Sequence, residues 1–288
     1  MRVSTTFAAL AASFSTANAY WKGLNVGANN PDGSCKSQQD WVNVFNTIKG
    51  LPGSYDSVRL FASSDCNTLA NAVPASISTG IKLLVGVWAT DAAHFGAEKG
   101  ALESAIRAHG SDWILAISCG SEDLYRKDNS PSNLASQIYD VRGMVRALGA
   151  TQEVGHVDTW TAWVDGANTE VIQACDFIGT DGYPYWQGAT VQDSSNVFWQ
   201  SVDAVRNVVN QVKPGAWVWI TETGWPVTGD NFGSSVPSIS NAAAYYKSVA
   251  CAAFGGAHTF WYAYQDYTSS PSFGVLGSDG RPLYDLSC

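Results

Sequence analysis

Residues 81–120 read IKLLVGVWATDAAHFGAEKGALESAIRAHGSDWILAISCG. IKLLVGVWA (81–89) is an apolar, β-rich run, ALESAIRAH (101–109) places apolar residues at threes and fours, and DWILAISCG (112–120) is β-rich again. A strand, a helix and a second strand in that order make a parallel pair joined by a crossover.

The same alternation extends in both directions. Strand-like runs recur at 20–27, 55–62, 152–160, 175–183, 216–223 and 258–266, and helix-like stretches fall at 41–48, 134–148, 197–212 and 241–254. With the opening pair that makes eight β runs, spaced at roughly 34 residues each, which fits a single (β/α)8 TIM barrel of ~250 residues. An open doubly wound sheet is the competing arrangement. It would carry a glycine-rich phosphate loop after its first strand, and GANNPDGSC (27–35) contains no such pattern.

The chain has 288 residues, 45% of them hydrophobic and 14% charged, with a net charge of -9. That composition describes a globular chain with a sizeable core and disfavours nucleic acid as a partner. Twelve tryptophans are a surplus, and flat apolar faces suit sugar rings as well as cores. Residues 1–19 read as a signal peptide: Arg2 is the charged start, Thr6 to Phe14 the apolar middle, and Ala17-Asn18-Ala19 the cleavage site. The catalytic domain is expected over 20–288, secreted, without a membrane or lipid anchor, and as a monomer. Six cysteines in an exported chain imply disulfides. Cys35 with Cys66 and Cys251 with Cys288 are the expected pairs, and Cys119 a buried free thiol. No Cys/His spacing resembles a zinc site, and no metal or cofactor is expected.

In a TIM barrel the chemistry sits at the C-terminal ends of the strands. Two glutamates stand there: Glu122 follows ILAISCGS and Glu222 closes WVWIT. Asp65, Asp91, Asp158, Asp181 and Asp266 share the position without the same apolar approach. Alternation groups Val218, Ile220 and Glu222 on the inner face and Trp217, Trp219 and Thr221 towards the helices. Trp88, Trp160, Trp225 and Trp261 fall near the mouth. Arg59, a lone cation in DSVRLFA, needs a buried partner, and Glu222 is the expected one, kept ionised by that pairing. Two acids in unlike environments separate a proton donor from a nucleophile. The competing reading is an N-cap or loop acceptor. The loop VTGDNFGSSVPSIS (227–240) reads as a cleft-edge segment.

WITETGWP (219–226) resembles the nucleophile motif of glycoside hydrolase family 17, and GSEDLYR (120–126) is similar to the acid/base motif of its fungal branch. SVRLFASSDC (57–66), KLLVGVW (82–88), CDFIGTDGYPYWQ (175–187), TFWYAYQD (259–266) and YDLSC (284–288) extend the resemblance over the chain from the second strand onward. It implies a barrel with retaining chemistry on 1,3-β-glucan, as endo-glucosidase or glucanosyltransferase in fungal cell-wall remodelling. Glu122 would be the acid/base and Glu222 the nucleophile. Ser121 stands where the wider clan commonly has Asn, which leaves the sugar 2-OH contact to Asn25 or Asn29. Arg59, Tyr183, Tyr185, Trp225 and Trp261 are the expected substrate contacts, with Trp261 the first-choice platform. The alternatives are a non-catalytic glucan-binding or structural wall protein on the same barrel, and a sister barrel acting on mannan or 1,4-β-glucan.

Overall fold

In the computed structural model, residues 20–288 are described, and the expected signal peptide at 1–19 lies outside them. Eight parallel strands close into a barrel in sequence order: β1 Lys22–Asn25, β2 Ser57–Arg59, β3 Lys82–Val87, β4 Ile114–Ser121, β5 Val154–Thr159, β6 Phe177–Asp181, β7 Trp217–Glu222 and β8 Thr259–Trp261. The helices are α1 Gln38–Gly50, α2 Thr68–Thr79, α3 Ala92–His109, α4 Asp123–Arg126, α5 Pro131–Ala147, α6 Trp160–Trp163, α7 Thr169–Ala174, α8 Ser194–Val212 and α9 Ile239–Gly256. Every β run read from the sequence coincides with one of these strands, β4 extending one residue past its run, to Ser121.

Local chemistry explains where the helices begin. Ser37 and Asp40 form a reciprocal capping box at α1. Ser130 caps α5 and Pro131 fills its first turn, where no N–H is needed. On α8, Phe198, Val202, Val205 and Val209 recur at threes and fours and are buried, so this helix lays one apolar stripe on the barrel. Disulfides Cys35–Cys66 and Cys251–Cys288 form as expected, and Cys119 is a buried free thiol, as is Cys175.

The barrel has two apolar layers. The larger lies between strands and helices. The smaller fills the barrel interior: Leu84, Ala116, Phe177, Trp219 and Phe260, contributed by five strands. Phe177 and Trp219 stack with ring centroids 4.4 Å apart. Glycines make room for these rings. A Cβ on Gly23 would sit 2.4 Å from Phe260, and one on Gly155 would sit 2.8 Å from Phe177.

Trp219 therefore points into the barrel, and the expectation that it faces the helices is corrected. The cause is a β-bulge. The β6–β7 register steps from Thr180↔Ile220 to Asp181↔Glu222, so Thr221 is an extra residue on β7. An extra residue reverses the side-chain alternation on either side of it. Counting back from an inward Glu222 by twos thus assigns the wrong face to every residue before the bulge. Ile220 packs in the strand–helix layer instead. Trp217, also expected in the core, is 47% exposed and stacks on His258.

Candidate active site

Glu222 ends β7 and is buried. Arg59, on β2 across the barrel mouth, is its ion-pair partner, as the sequence predicts. The Tyr183 hydroxyl donates to Oε2 of Glu222 at 2.7 Å, so each carboxylate oxygen receives a donor. Burial works against the Arg59 charge, yet Glu222 and Asp181 raise its pKa above the ordinary value. The guanidinium also donates to Asn25 Oδ1 and Ser121 Oγ, both at 2.9 Å. Burial pushes the Tyr183 hydroxyl well above the usual phenol range, reinforced by Glu222, which keeps it a donor.

Glu122 follows β4 and is built differently. The β4–β5 register steps from Ser118↔Gly155 to Ser121↔Val157, so β4 too carries an extra residue just before its acid. Gly120 (φ 79) and Glu122 (φ 60) are left-handed there, a conformation open to glycine and costly for a glutamate. Arg126, four residues on, donates Nε and Nη2 to Glu122 Oε2 at 3.1 and 2.6 Å. Burial raises the Glu122 pKa, nearby Glu222 adds to the rise, and Arg126 opposes it.

Asp181 completes the cluster, and sequence reasoning did not single it out. One oxygen from each of Glu122, Asp181 and Glu222 lies within 4.8 Å of the others. Burial drives the Asp181 pKa well up, Glu222 adds to the rise, and Arg59 opposes it. Thr221 donates to its Oδ1 at 2.8 Å, whereas Oδ2 is buried without a partner. A neutral carboxylic acid suits that site, because burial and nearby Glu222 outweigh Arg59 in setting the Asp181 pKa. The available signal was that Asp181 closes CDFIGTD as Glu222 closes WVWITE. Glu222 is already occupied by Arg59 and Tyr183, so the three acids do not form an open cage for a cation.

A cleft of about 420 Å³ opens beside the acids. Glu122, Asp181 and Tyr183 form its inner wall, and Tyr125, Trp160, Trp186 and Phe232 its outer one. Tyr125, Trp186 and Phe232 are 59%, 45% and 45% exposed. Phe232 comes from the loop 227–240, which thus does edge the cleft. A second groove, of about 390 Å³, holds Phe61, Trp88 and Asn29 at the ends of β1 to β3. Trp88 and Trp160 are at the mouth as expected.

Three expected sugar contacts are corrected. Trp261 is 0% and Trp225 1% exposed, so neither offers a face to a ligand. Alternation on β8 sends Phe260 into the barrel and Trp261 outward against Tyr245 and Tyr246 of α9. Trp225 donates its indole N–H to the Val236 carbonyl at 3.0 Å. Tyr185 is buried, and its hydroxyl donates to the Asp230 carbonyl at 2.6 Å. Its ring backs Trp186 and Phe232, so it supports the platform without being one. Trp186 went unread because it sits in a tight turn, Pro184–Gln187, where strand alternation gives no guide. Asn25 spends its side-chain N–H groups on the carbonyls of Thr221, Phe260 and Trp261, and Asn29, which lines the second groove, donates its own to the Gly33 carbonyl at 3.0 Å and Cys66 Sγ at 3.4 Å.

The family model for the BtgE/BtgC glycoside hydrolase domain matches residues 23–275. A probable glucan endo-1,3-beta-glucosidase (eglC) of Aspergillus fumigatus is 40% identical, over 99% of this chain and 69% of the relative. A glucan 1,3-beta-glucosidase of Saccharomyces cerevisiae is 36% identical over 100% of this chain and 99% of that one. Among solved structures, the glycoside hydrolase family 17 β-1,3-glucanosyltransferase of Rhizomucor miehei superimposes with a TM-score of 0.81. Its active-site mutant in complex with laminaritriose gives 0.82, at 29% identity, over 94% of this chain and 98% of that one.

Proposed function

The chain belongs to the BtgE/BtgC glycoside hydrolase family, and from that membership we propose that it is a retaining enzyme acting on 1,3-β-glucan. Glu222 is the nucleophile and Glu122 the acid/base. The observation that carries this reading is the close approach of the two acids, one oxygen of each lying within 4.8 Å of one of the other. Retaining glycosidases hold their carboxyl groups about 5–5.5 Å apart, whereas inverting ones leave room for a water at about 6.5–9.5 Å.

In the first half-reaction a Glu222 oxygen bonds to the anomeric carbon. The bond from that carbon to the leaving oxygen breaks, and Glu122 gives its proton to that oxygen. In the second half, Glu122 takes a proton from the incoming hydroxyl, whose oxygen displaces Glu222. The environments suit these roles. Glu222 accepts from two donors that hold it in place, and Glu122 has a raised pKa that favours carrying a proton to transfer. Tyr125, Trp160, Trp186 and Phe232 would stack or edge the glucan chain.

The incoming hydroxyl belongs to water in an endo-glucosidase and to a sugar in a glucanosyltransferase. Both activities are named among the relatives, and the two half-reactions above serve either. On this reading the enzyme works outside the cell, at the wall, and the two disulfides support it by favouring an oxidising compartment. No helix among the described residues is long and apolar enough to cross a membrane. Incubation with a short laminari-oligosaccharide tests the proposal. Products longer than the substrate identify transfer, and shorter ones alone identify hydrolysis. No turnover in the unsubstituted protein, with glucan binding and wall phenotype unchanged in Glu222→Gln, would remove the catalytic reading and leave a glucan-binding wall protein.

A further inference from the structure

His156 lies on β5 behind the acid/base strand, fully buried, and the chemistry above does not use it. Its Nδ1 is 2.7 Å from the carbonyl oxygen of Cys119, and its Nε2 is 2.9 Å from Oδ2 of Asp158. A peptide carbonyl can only accept, so Nδ1 carries a proton. Asp158 accepts backbone N–H groups from Leu124 at 2.9 Å, Tyr125 at 3.3 Å and Thr159 at 2.8 Å. A second proton must therefore lie between Nε2 and Oδ2. Neutral imidazole has one proton for two nitrogens, so the pair needs one more than a neutral ring and an ionised carboxylate supply.

The two partners bracket Glu122. Cys119 precedes Gly120, the left-handed residue of the β4 bulge, and a Cβ on Gly120 would lie 2.3 Å from Asp123 Oδ2 and 3.1 Å from His156 Cε1. Asp158 takes the N–H groups of Leu124 and Tyr125, just after Glu122. Between these anchors, Ser121 donates its N–H to Asp123 at 2.7 Å, and Glu122 donates its N–H to the Val157 carbonyl at 2.8 Å. A left-handed glutamate persists only where its surroundings over-determine it.

We propose that doubly protonated His156, shared with Asp158, is a positioning residue that clamps the backbone on both sides of Glu122 and so aims its carboxyl at the leaving oxygen. It touches neither Glu122 nor substrate. The inference rests on the reading of Glu122 as acid/base. The other groups facing His156 are the Asp123 carboxyl on α4, the Cys175 thiol and the Trp163 ring on α6. Burial pushes Cys175 up to about 12, so it stays neutral. Burial alone would lower the His156 pKa, but Asp158 and Asp123 leave it raised. For a raised histidine, the contribution to stability is complete below the unfolded pKa and is lost as pH rises through the folded one. The clamp thus loosens on the alkaline side.

Two measurements test this. The first is ¹⁵N NMR of the four histidines in the intact protein, from about pH 5 to 9. His156 is expected to keep protons on both ring nitrogens above the ordinary imidazole range. A ring with one proton at neutral pH, hydrogen-bonded to an ionised Asp158, overturns the proposal without any variant. The second is His156→Gln, assayed on a laminari-oligosaccharide and on an aryl laminaribioside whose dinitrophenolate leaves without a proton. Loss of aim at the acid should lower kcat on the oligosaccharide by roughly 10²-fold, with KM little changed. The pre-steady-state burst on the aryl substrate should stay within a few-fold of the unsubstituted protein. Equal losses on both substrates would mean a merely structural role and overturn the proposal. If the unsubstituted protein leaves glucan untouched, the functional reading fails, and the NMR result still decides the state of His156.

Discussion

Strands β4 and β7 end alike and hold their acids differently. Each carries one extra residue just before its glutamate. In β7 the glutamate enters a polar, water-excluded cage in which Arg59 and Tyr183 take both oxygens. In β4 it stands in a left-handed turn at the cleft wall, and its cation, Arg126, is 55% exposed. The bulge is the common device for bringing an acid to the mouth. Burial and nearby Glu222 push the Glu122 pKa up against Arg126, whose exposed charge is screened by water far more than the buried charge of Arg59.

The largest expected effect breaks the caged side. Glu222→Gln should lower kcat/KM by about 10⁴-fold or more, since no covalent intermediate can form, read as absence of both hydrolysis and transfer. Glu122→Gln should cost about 10² to 10⁴-fold on glucan, and the aryl substrate with a dinitrophenolate leaving group should recover the first half-reaction. If both variants lose the two substrates equally, the proposed division of roles fails.

The cations sharpen the contrast. Arg59→Met strands Glu222 in a buried site and is expected to cost about 3–5 kcal/mol in stability, measured by urea unfolding. Arg126→Gln should cost no more than about 1 kcal/mol, because the pair is at the surface. Its signature lies in the pH profile instead. Arg126 opposes the rise of the Glu122 pKa, so its removal should move the alkaline limb of kcat/KM to higher pH. A limb that moves down, or not at all, would detach that limb from Glu122.

Asp181 supplies a smaller test with a defined sign. Its folded pKa lies above the ordinary 3.8, so the folded state binds the extra proton and stability falls as pH rises above that value. Asp181→Asn mimics the neutral acid and should flatten this dependence in thermal melts across the acid range. The smallest effect is expected at the cleft rim. Trp186→Ala should raise KM for oligosaccharides by about ten-fold or less, in line with the loss of one stacking face worth roughly 0.5–1.5 kcal/mol, and leave the melting temperature almost unchanged. Trp261→Ala should do the reverse, costing about 3–5 kcal/mol of stability.

Much of the molecule was legible in one dimension. The alternation around IKLLVGVWA and ALESAIRAH announces parallel strands with crossover helices because burial on both faces and a helical stripe leave distinct periodicities. Glu122 and Glu222 drew attention because each closes an apolar run, and Arg59 because a cation inside such a run is costly without a partner. The Cys35–Cys66 disulfide was legible from the two consecutive loops that carry its cysteines, whereas Cys251 sits within α9 and reaches Cys288 at the end of the chain. The aromatic contacts were not legible. Trp225 and Trp261 sit where a mouth residue should, yet their faces are buried, while Trp186 and Phe232 emerge from a turn and a loop with no period to read.

The physical reason is the bulge. Alternation is a local rule, and one extra residue reverses it, but nothing in WITETGWP marks Thr221 as that residue. Only pairing with β6 places it, and with it Trp219 inside the barrel. In the same way, His156 is unremarkable in QEVGHVDTW. Its proton is demanded by a carbonyl on one strand and a carboxylate two residues on, which the closed barrel brings to its two nitrogens. The sequence by itself determined which residues are acids and which elements carry them. Tertiary structure decided which way each side chain points, and what it meets there.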